Sequence, residues 1–138
     1  DVELTPLVLF LALVFWLAGF DIIYATQDID IDRREGLYSV PARFGVARGL
    51  QIARASHAVT VACLAALGIV AGLGIPYFVG VVGAAGLLIY EHSLVSANDL
   101  SKVNVAFLNV NGYLAVSMLL MTIADYLANW ITRGWVGV

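Results

Sequence analysis

Three blocks of this sequence carry no Asp, Glu, Lys or Arg: residues 4–20, 55–90 and 103–124. In lipid every backbone amide and carbonyl must be paired within the protein, so an apolar run that crosses has to be helical. Crossing takes about 20 predominantly apolar residues. The first and last blocks supply one such run each. The middle block, twice as long, supplies two, folded back at Gly72-Leu73-Gly74-Ile75-Pro76. Charged residues make up only 12% of the chain, about half the share of a soluble domain. The expectation is an all-α, polytopic membrane protein: one membrane domain over residues 1–138, with spans at about 6–27, 48–72, 76–92 and 103–125. No nucleic-acid partner is expected of such a chain.

The polar residues that remain are concentrated in 21–45, DIIYATQDIDIDRREGLYSVPARFG. The first helix is expected to run from Pro6 through Asp32, where Gly36 breaks it and Ser39-Val40-Pro41 holds the chain extended. On such a helix Asp21, Tyr24, Asp28 and Asp32 fall within about 60° of one another, and Asp30 falls opposite. Three carboxylates on one face repel unless a positive charge sits among them. A divalent cation with oxygen preference fits, and magnesium commonly brings a phosphate group with it. An acidic helix end in solvent is the plainer reading, but ionisable groups emerging from a span are costly and mark functional sites.

Five of the seven lysines and arginines (Arg33, Arg34, Arg43, Arg48, Arg54) lie in or beside the first connection, and Lys102 lies in the third. The second connection has none. By the positive-inside rule the first and third connections are cytoplasmic, while both termini and the Gly-Pro turn face outward. The tail 126–138, with Trp130, Arg133 and Trp135, suits an interface belt. The N-terminal run is read as a span and not a signal peptide, because acids flank it where a basic region belongs. Cys63 stands alone in an apolar run, a packing residue. His57 and His92 stand near helix ends with no partner motif, and neither is assigned a role.

Asp-x-x-Tyr-Ala-x-x-Asp-x-Asp-x-Asp, then Gly, then Ser-Val-Pro-x-Arg-Phe-Gly, resembles the second aspartate-rich motif of the UbiA superfamily of intramembrane prenyltransferases. The likeness is greatest to its 4-hydroxybenzoate polyprenyltransferases. It extends to Tyr90-Glu91-His92 and to DLSKVNVAFLNVNG at 99–112. The resemblance implies a nine-span helical bundle, with two aspartate-rich motifs at its cytoplasmic mouth holding Mg2+ and a polyprenyl diphosphate. It implies prenyl transfer to an aromatic acceptor, 4-hydroxybenzoate by this likeness, for quinone biosynthesis in a bacterial inner membrane. The first motif, an Asn-Asp-x-x-Asp-x-x-x-Asp type, is absent here. The four spans are therefore expected to be the C-terminal half of such an enzyme, inactive without an N-terminal half.

Asp28 and Asp32 are the expected magnesium ligands. Asp21, roughly 10 Å deeper along the helix, is expected either to orient Tyr24 or to steady the allylic cation, and Tyr24 to meet that cation through its hydroxyl or ring. Arg43 can grip a diphosphate bidentately, or anchor to lipid phosphate, the role expected of Arg33 and Arg34. Asp30 is expected to pair with those two arginines. Lys102 is placed at the diphosphate or an acceptor carboxylate, with snorkelling as its alternative. Asn104 and Asn111, seven residues apart, are placed on one face lining the acceptor cavity, against plain interhelical hydrogen bonding. Naphthoate and homogentisate are alternative acceptors. A transporter half would place its acids at mid-membrane on broken helices. A CDP-alcohol phosphotransferase would need Asp-Gly before Ala42-Arg43.

Overall fold

The computed structural model describes residues 4–133; Asp1, Glu3 and Trp135 lie outside that range. Among the described residues every regular element is helical, and four helices are long and apolar enough to cross a membrane: Leu4–Ala25, Val46–Val70, Ile75–Leu94 and Val105–Thr132. The chain is an integral membrane protein by this measure, and large apolar side chains along all four, such as Phe10, Ile69, Val82 and Leu119, are exposed.

The first helix ends sooner than its sequence pattern suggests. Helix α1 spans Leu4–Ala25 and α2 spans Ile29–Glu35, so the expected single helix to Asp32 is interrupted. The hydroxyl of Thr26 donates to the carbonyl of Ile23 at 2.6 Å, and successive amides of Thr26, Gln27 and Asp28 bond three residues back. Side-chain competition for a backbone carbonyl together with tightened turns is how a helix is brought to a stop. Asp28 occupies the N-cap position of α2, and its carbonyl accepts the Asp32 amide at 2.8 Å. Gly36, at φ 71°, closes α2 in the left-handed conformation that glycine adopts without steric cost.

A short helix α3, Val40–Phe44, follows. Ser39 caps it by accepting from the Ala42 amide at 3.3 Å, and Pro41 sits in its first turn, where no amide is needed. The Arg33 guanidinium donates to the Ala42 carbonyl at 3.1 Å and ties α2 to α3. Helix α4, Val46–Val70, then returns through the bundle. Helix α5, Ile75–Leu94, begins within the predicted Gly-Pro turn, with Pro76 in its first turn. Its entry is fixed from a distance: the Gly74 amide donates to Asp125 Oδ1 at 2.8 Å.

The third connection closes on itself through backbone bonds between Ser96 and Asp99. Asp99 accepts from both the hydroxyl and the amide of Ser101, and with Lys102 nearby these hold its carboxyl below the usual carboxylate range. The last helix opens as a π-helical segment, Val105–Val110, and continues as α6, Asn111–Arg133. It therefore runs two turns beyond Asp125, where the sequence pattern ends it, and carries an exposed Trp130.

Helix α1 packs along α4, and α5 along α6, with α4 and α5 joining the pairs. One apolar cluster, including Ile23, Leu50, Ala53 and Val103, sits at the end that bears the acidic motif. Another, around Leu67, Tyr77 and Val81, sits at the far end. Between them α1 approaches α4 at Gly19, where a Cβ would collide with the His57 ring. Small residues at such crossings let backbones approach closely, as in other membrane bundles.

Candidate functional site

The break at Thr26–Asp28 divides the acidic motif in two. Asp21 and Tyr24 stay on α1, both exposed, while Asp28 and Asp32 belong to α2. The continuous stripe expected from helical rotation is thus a stripe on two short axes. Asp28 and Asp32 remain one helical turn apart, at the N-cap and in the first turn of α2. Asp28 is half-buried and Asp32 is 9% exposed. Among the described residues nothing donates a hydrogen bond to either carboxylate, and no lysine or arginine comes within 4.0 Å of a carboxylate. Carboxylates with unengaged oxygens and no neighbouring cation are donors suited to a hard divalent ion.

Around this pair the other expected residues separate. The Tyr24 ring lies against Phe107, centroids 4.5 Å apart, presenting an aromatic wall where α1 meets the π segment. Asn104 accepts from Gln27 Nε2 at 3.2 Å. Both line a polar hollow of about 620 Å3 with Thr26, Asp30 and Ser101. Asp30 does not pair through its carboxylate with Arg33 or Arg34; Arg34 donates instead to its main-chain carbonyl at 3.1 Å. Arg43 is exposed on α3, its guanidinium 5.4 Å from the Phe44 ring centre, and Lys102 is exposed in the third connection.

Asn111 is not beside Asn104. The intervening π segment has more residues per turn than an α-helix, so a spacing of seven no longer returns to the same face. Asn111 turns inward instead. Its amide donates to Glu91 Oε1 at 2.9 Å and to the carbonyls of Ala106 and Phe107, and its oxygen accepts from the Trp16 indole at 2.7 Å. A side chain inserted among backbone carbonyls is one of the causes of such a local widening.

This bond opens onto a buried polar cluster that the sequence pattern did not foretell. Glu91 has no exposed surface and His57 is 2% exposed. His57 Nδ1 stands 3.2 Å from Glu91 Oε2 and 3.0 Å from His92 Nε2, while His57 Nε2 faces the Trp16 carbonyl at 3.4 Å. All four spans contribute: Trp16 from α1, His57 from α4, Glu91 and His92 from α5, Asn111 from α6. The available signal was a glutamate and two histidines within spans, each costly to bury alone; what hid it was the distance in sequence between His57 and Glu91. Below the cluster an apolar cavity of about 440 Å3 runs among α1, α4 and α6, lined by Leu13, Trp16, Leu64, Leu67 and Met118.

Comparison with known proteins agrees with the motif. The profile of the UbiA prenyltransferase family matches residues 1–119. A 4-hydroxybenzoate octaprenyltransferase of Pectobacterium atrosepticum is 33% identical over 81% of this chain and 38% of its own length. One from Aeromonas salmonicida is 33% identical over 86% of this chain and 40% of its own length. One from Paraburkholderia phymatum is 30% identical over 93% and 44%. The chain thus spans about two-fifths of the length of these relatives. No solved structure matches. With its motif, four spans and a profile match over most of its residues, the chain belongs to the UbiA prenyltransferase family.

Proposed function

We propose that this chain supplies the second aspartate-rich half of a magnesium-dependent prenyl-transfer site. The substrate is a polyprenyl diphosphate and the acceptor an aromatic ring, with 4-hydroxybenzoate favoured by what the relatives' names say they act on. The single observation that carries the reading is the Asp28–Asp32 pair, one turn apart with unengaged oxygens, in a chain of this family. Magnesium bound there would offset charge developing on the diphosphate leaving group.

The chain's own residues fill the remaining roles. Arg43 and Lys102, exposed on the two connections at the motif's end of the bundle, are free to grip diphosphate oxygens. Tyr24, held by Phe107, offers a ring face to an allylic cation, and Asp21, one turn deeper on α1, offers a compensating charge. Asn104, fixed by Gln27, lines the hollow suited to the polar end of a substrate. Asn111 is withdrawn from the acceptor role: its hydrogen bonds are committed to Glu91 and Trp16. The apolar cavity between α1, α4 and α6 is the natural place for isoprenoid units, because its lining is almost wholly hydrocarbon.

Carboxylates from one side cannot surround a diphosphate, and four spans cannot shield a polar-lined cavity from lipid. The site is accordingly completed by a first aspartate-rich motif on further spans, corresponding to the N-terminal part of the family's bundle. The arginine-rich first connection favours a site opening to the cytoplasm of a bacterial inner membrane.

The test is transfer of labelled prenyl groups in membranes carrying the full-length protein. Magnesium-dependent product with 4-hydroxybenzoate is expected, abolished by chelation. Product only with naphthoate or homogentisate would reassign the acceptor; no product with any aromatic ring would overturn the reading.

A further inference from the structure

We propose that His57, Glu91 and His92 form a zinc-type metal site inside the bundle, separate from the aspartates. Their ligand atoms, one per residue, all lie within 4.8 Å of one another. His57 Nδ1 is 3.2 Å from Glu91 Oε2 and 3.0 Å from His92 Nε2. In a tetrahedral zinc site with bonds of about 2.0–2.1 Å, neighbouring ligand atoms sit about 3.3 Å apart. The two separations from His57 are therefore within a few tenths of an ångström of that spacing.

The hydrogen bonds prepare lone pairs. In the tautomer that donates Nε2–H to the Trp16 carbonyl, His57 Nδ1 turns a lone pair toward Glu91 and His92. Glu91 Oε1 is held by the Asn111 amide, itself oriented by the Trp16 indole. Glu91 Oε2 is left buried with no hydrogen-bond donor. A carboxylate with no exposed surface and one oxygen unpaired is costly in such surroundings. A cation at the focus of the three lone pairs removes that cost.

Two of the three ligands have the outer partners usual in a metal centre, His57 a carbonyl and Glu91 an amide, while His92 Nδ1 is buried without one. Two histidines and a glutamate are a zinc set that leaves a fourth position open. His57 and His92 also border, with Arg54, a hollow of about 510 Å3 with room for a water molecule. Mixed nitrogen and oxygen donors separate this site from the all-oxygen aspartates, which favour magnesium. A bound ion would staple α4 to α5 and, through Trp16 and Asn111, brace α1 and α6.

The experiment uses the full-length protein, without a histidine tag, in detergent. It is loaded with Zn2+ or Co2+, desalted, and assayed for metal. About one zinc per chain is expected, and cobalt should give the intense visible bands of a tetrahedral nitrogen–oxygen site. Glu91→Gln and His92→Gln should each lower retention by about tenfold or more, whereas Asp32→Asn should leave it unchanged. The cobalt spectrum of the unaltered protein reads the site even if both variants fail to fold. Absence of tetrahedral bands, or retention unchanged by both substitutions, would overturn the proposal and leave a proton-sharing network.

Discussion

Gly19 shows how far a single hydrogen can govern this bundle. A methyl group there would collide with the His57 ring, which could yield only by breaking its Glu91 and His92 contacts. Gly19→Ala should therefore push α1 from α4, destabilising the protein by about 1–3 kcal/mol as overpacking does. Thermal unfolding in detergent should show a lowered midpoint; an unchanged one would mean that the helices do not cross so closely. At this scale the sequence was only partly readable. Asp28 and Asp32 stood out because their spacing is local and their chemistry costly in a span. Glu91, His57 and His92 did not, because the partner that explains each lies on another helix. Asp30 was misassigned for a related reason: arginine beside aspartate suggests a charge pair, yet a neighbouring main-chain carbonyl lies within easier reach of Arg34.

Among elements, the apolar periodicity and the Gly-Pro turn located the spans well, since helix is the solution lipid imposes on an uncharged run. The interruptions escaped it. Thr26 ends α1 with a side-chain hydrogen bond, and Asn111 accompanies the π segment with another, and neither leaves a periodic trace. Asn111→Leu should show what the second is worth. It would strand Glu91 Oε1 and the Trp16 indole without partners, at roughly 1–3 kcal/mol for each buried group. Heat stability should fall accordingly, and Asn111→Asp, which keeps an acceptor for Trp16 but faces Glu91 with like charge, should be no better. Stability equal to the parent in both variants would show that these bonds are not made in the membrane.

Over the whole molecule, four helices expose much apolar surface, and the acidic motif and the cationic first connection share one end. Which side of the membrane that end faces is open to labelling. Tyr38, 91% exposed between α2 and α3, and Ala71, exposed in the far turn without a positive φ, are suitable cysteine positions. Tyr38→Cys should react with an impermeant maleimide only from the cytoplasm, and Ala71→Cys only from outside; the opposite pattern would invert the orientation derived from the arginines. The central claim, that Asp28 and Asp32 engage the diphosphate through magnesium, is met most directly by prenyl transfer in membranes containing full-length protein. Asp28→Asn and Asp32→Asn should each lower magnesium-dependent turnover by a hundredfold or more, about 2.7 kcal/mol in transition-state terms. Asp30→Asn, at the rim of the hollow, should lower it less than about tenfold. Equal losses at all three positions, or full activity without Asp28 and Asp32, would contradict the account.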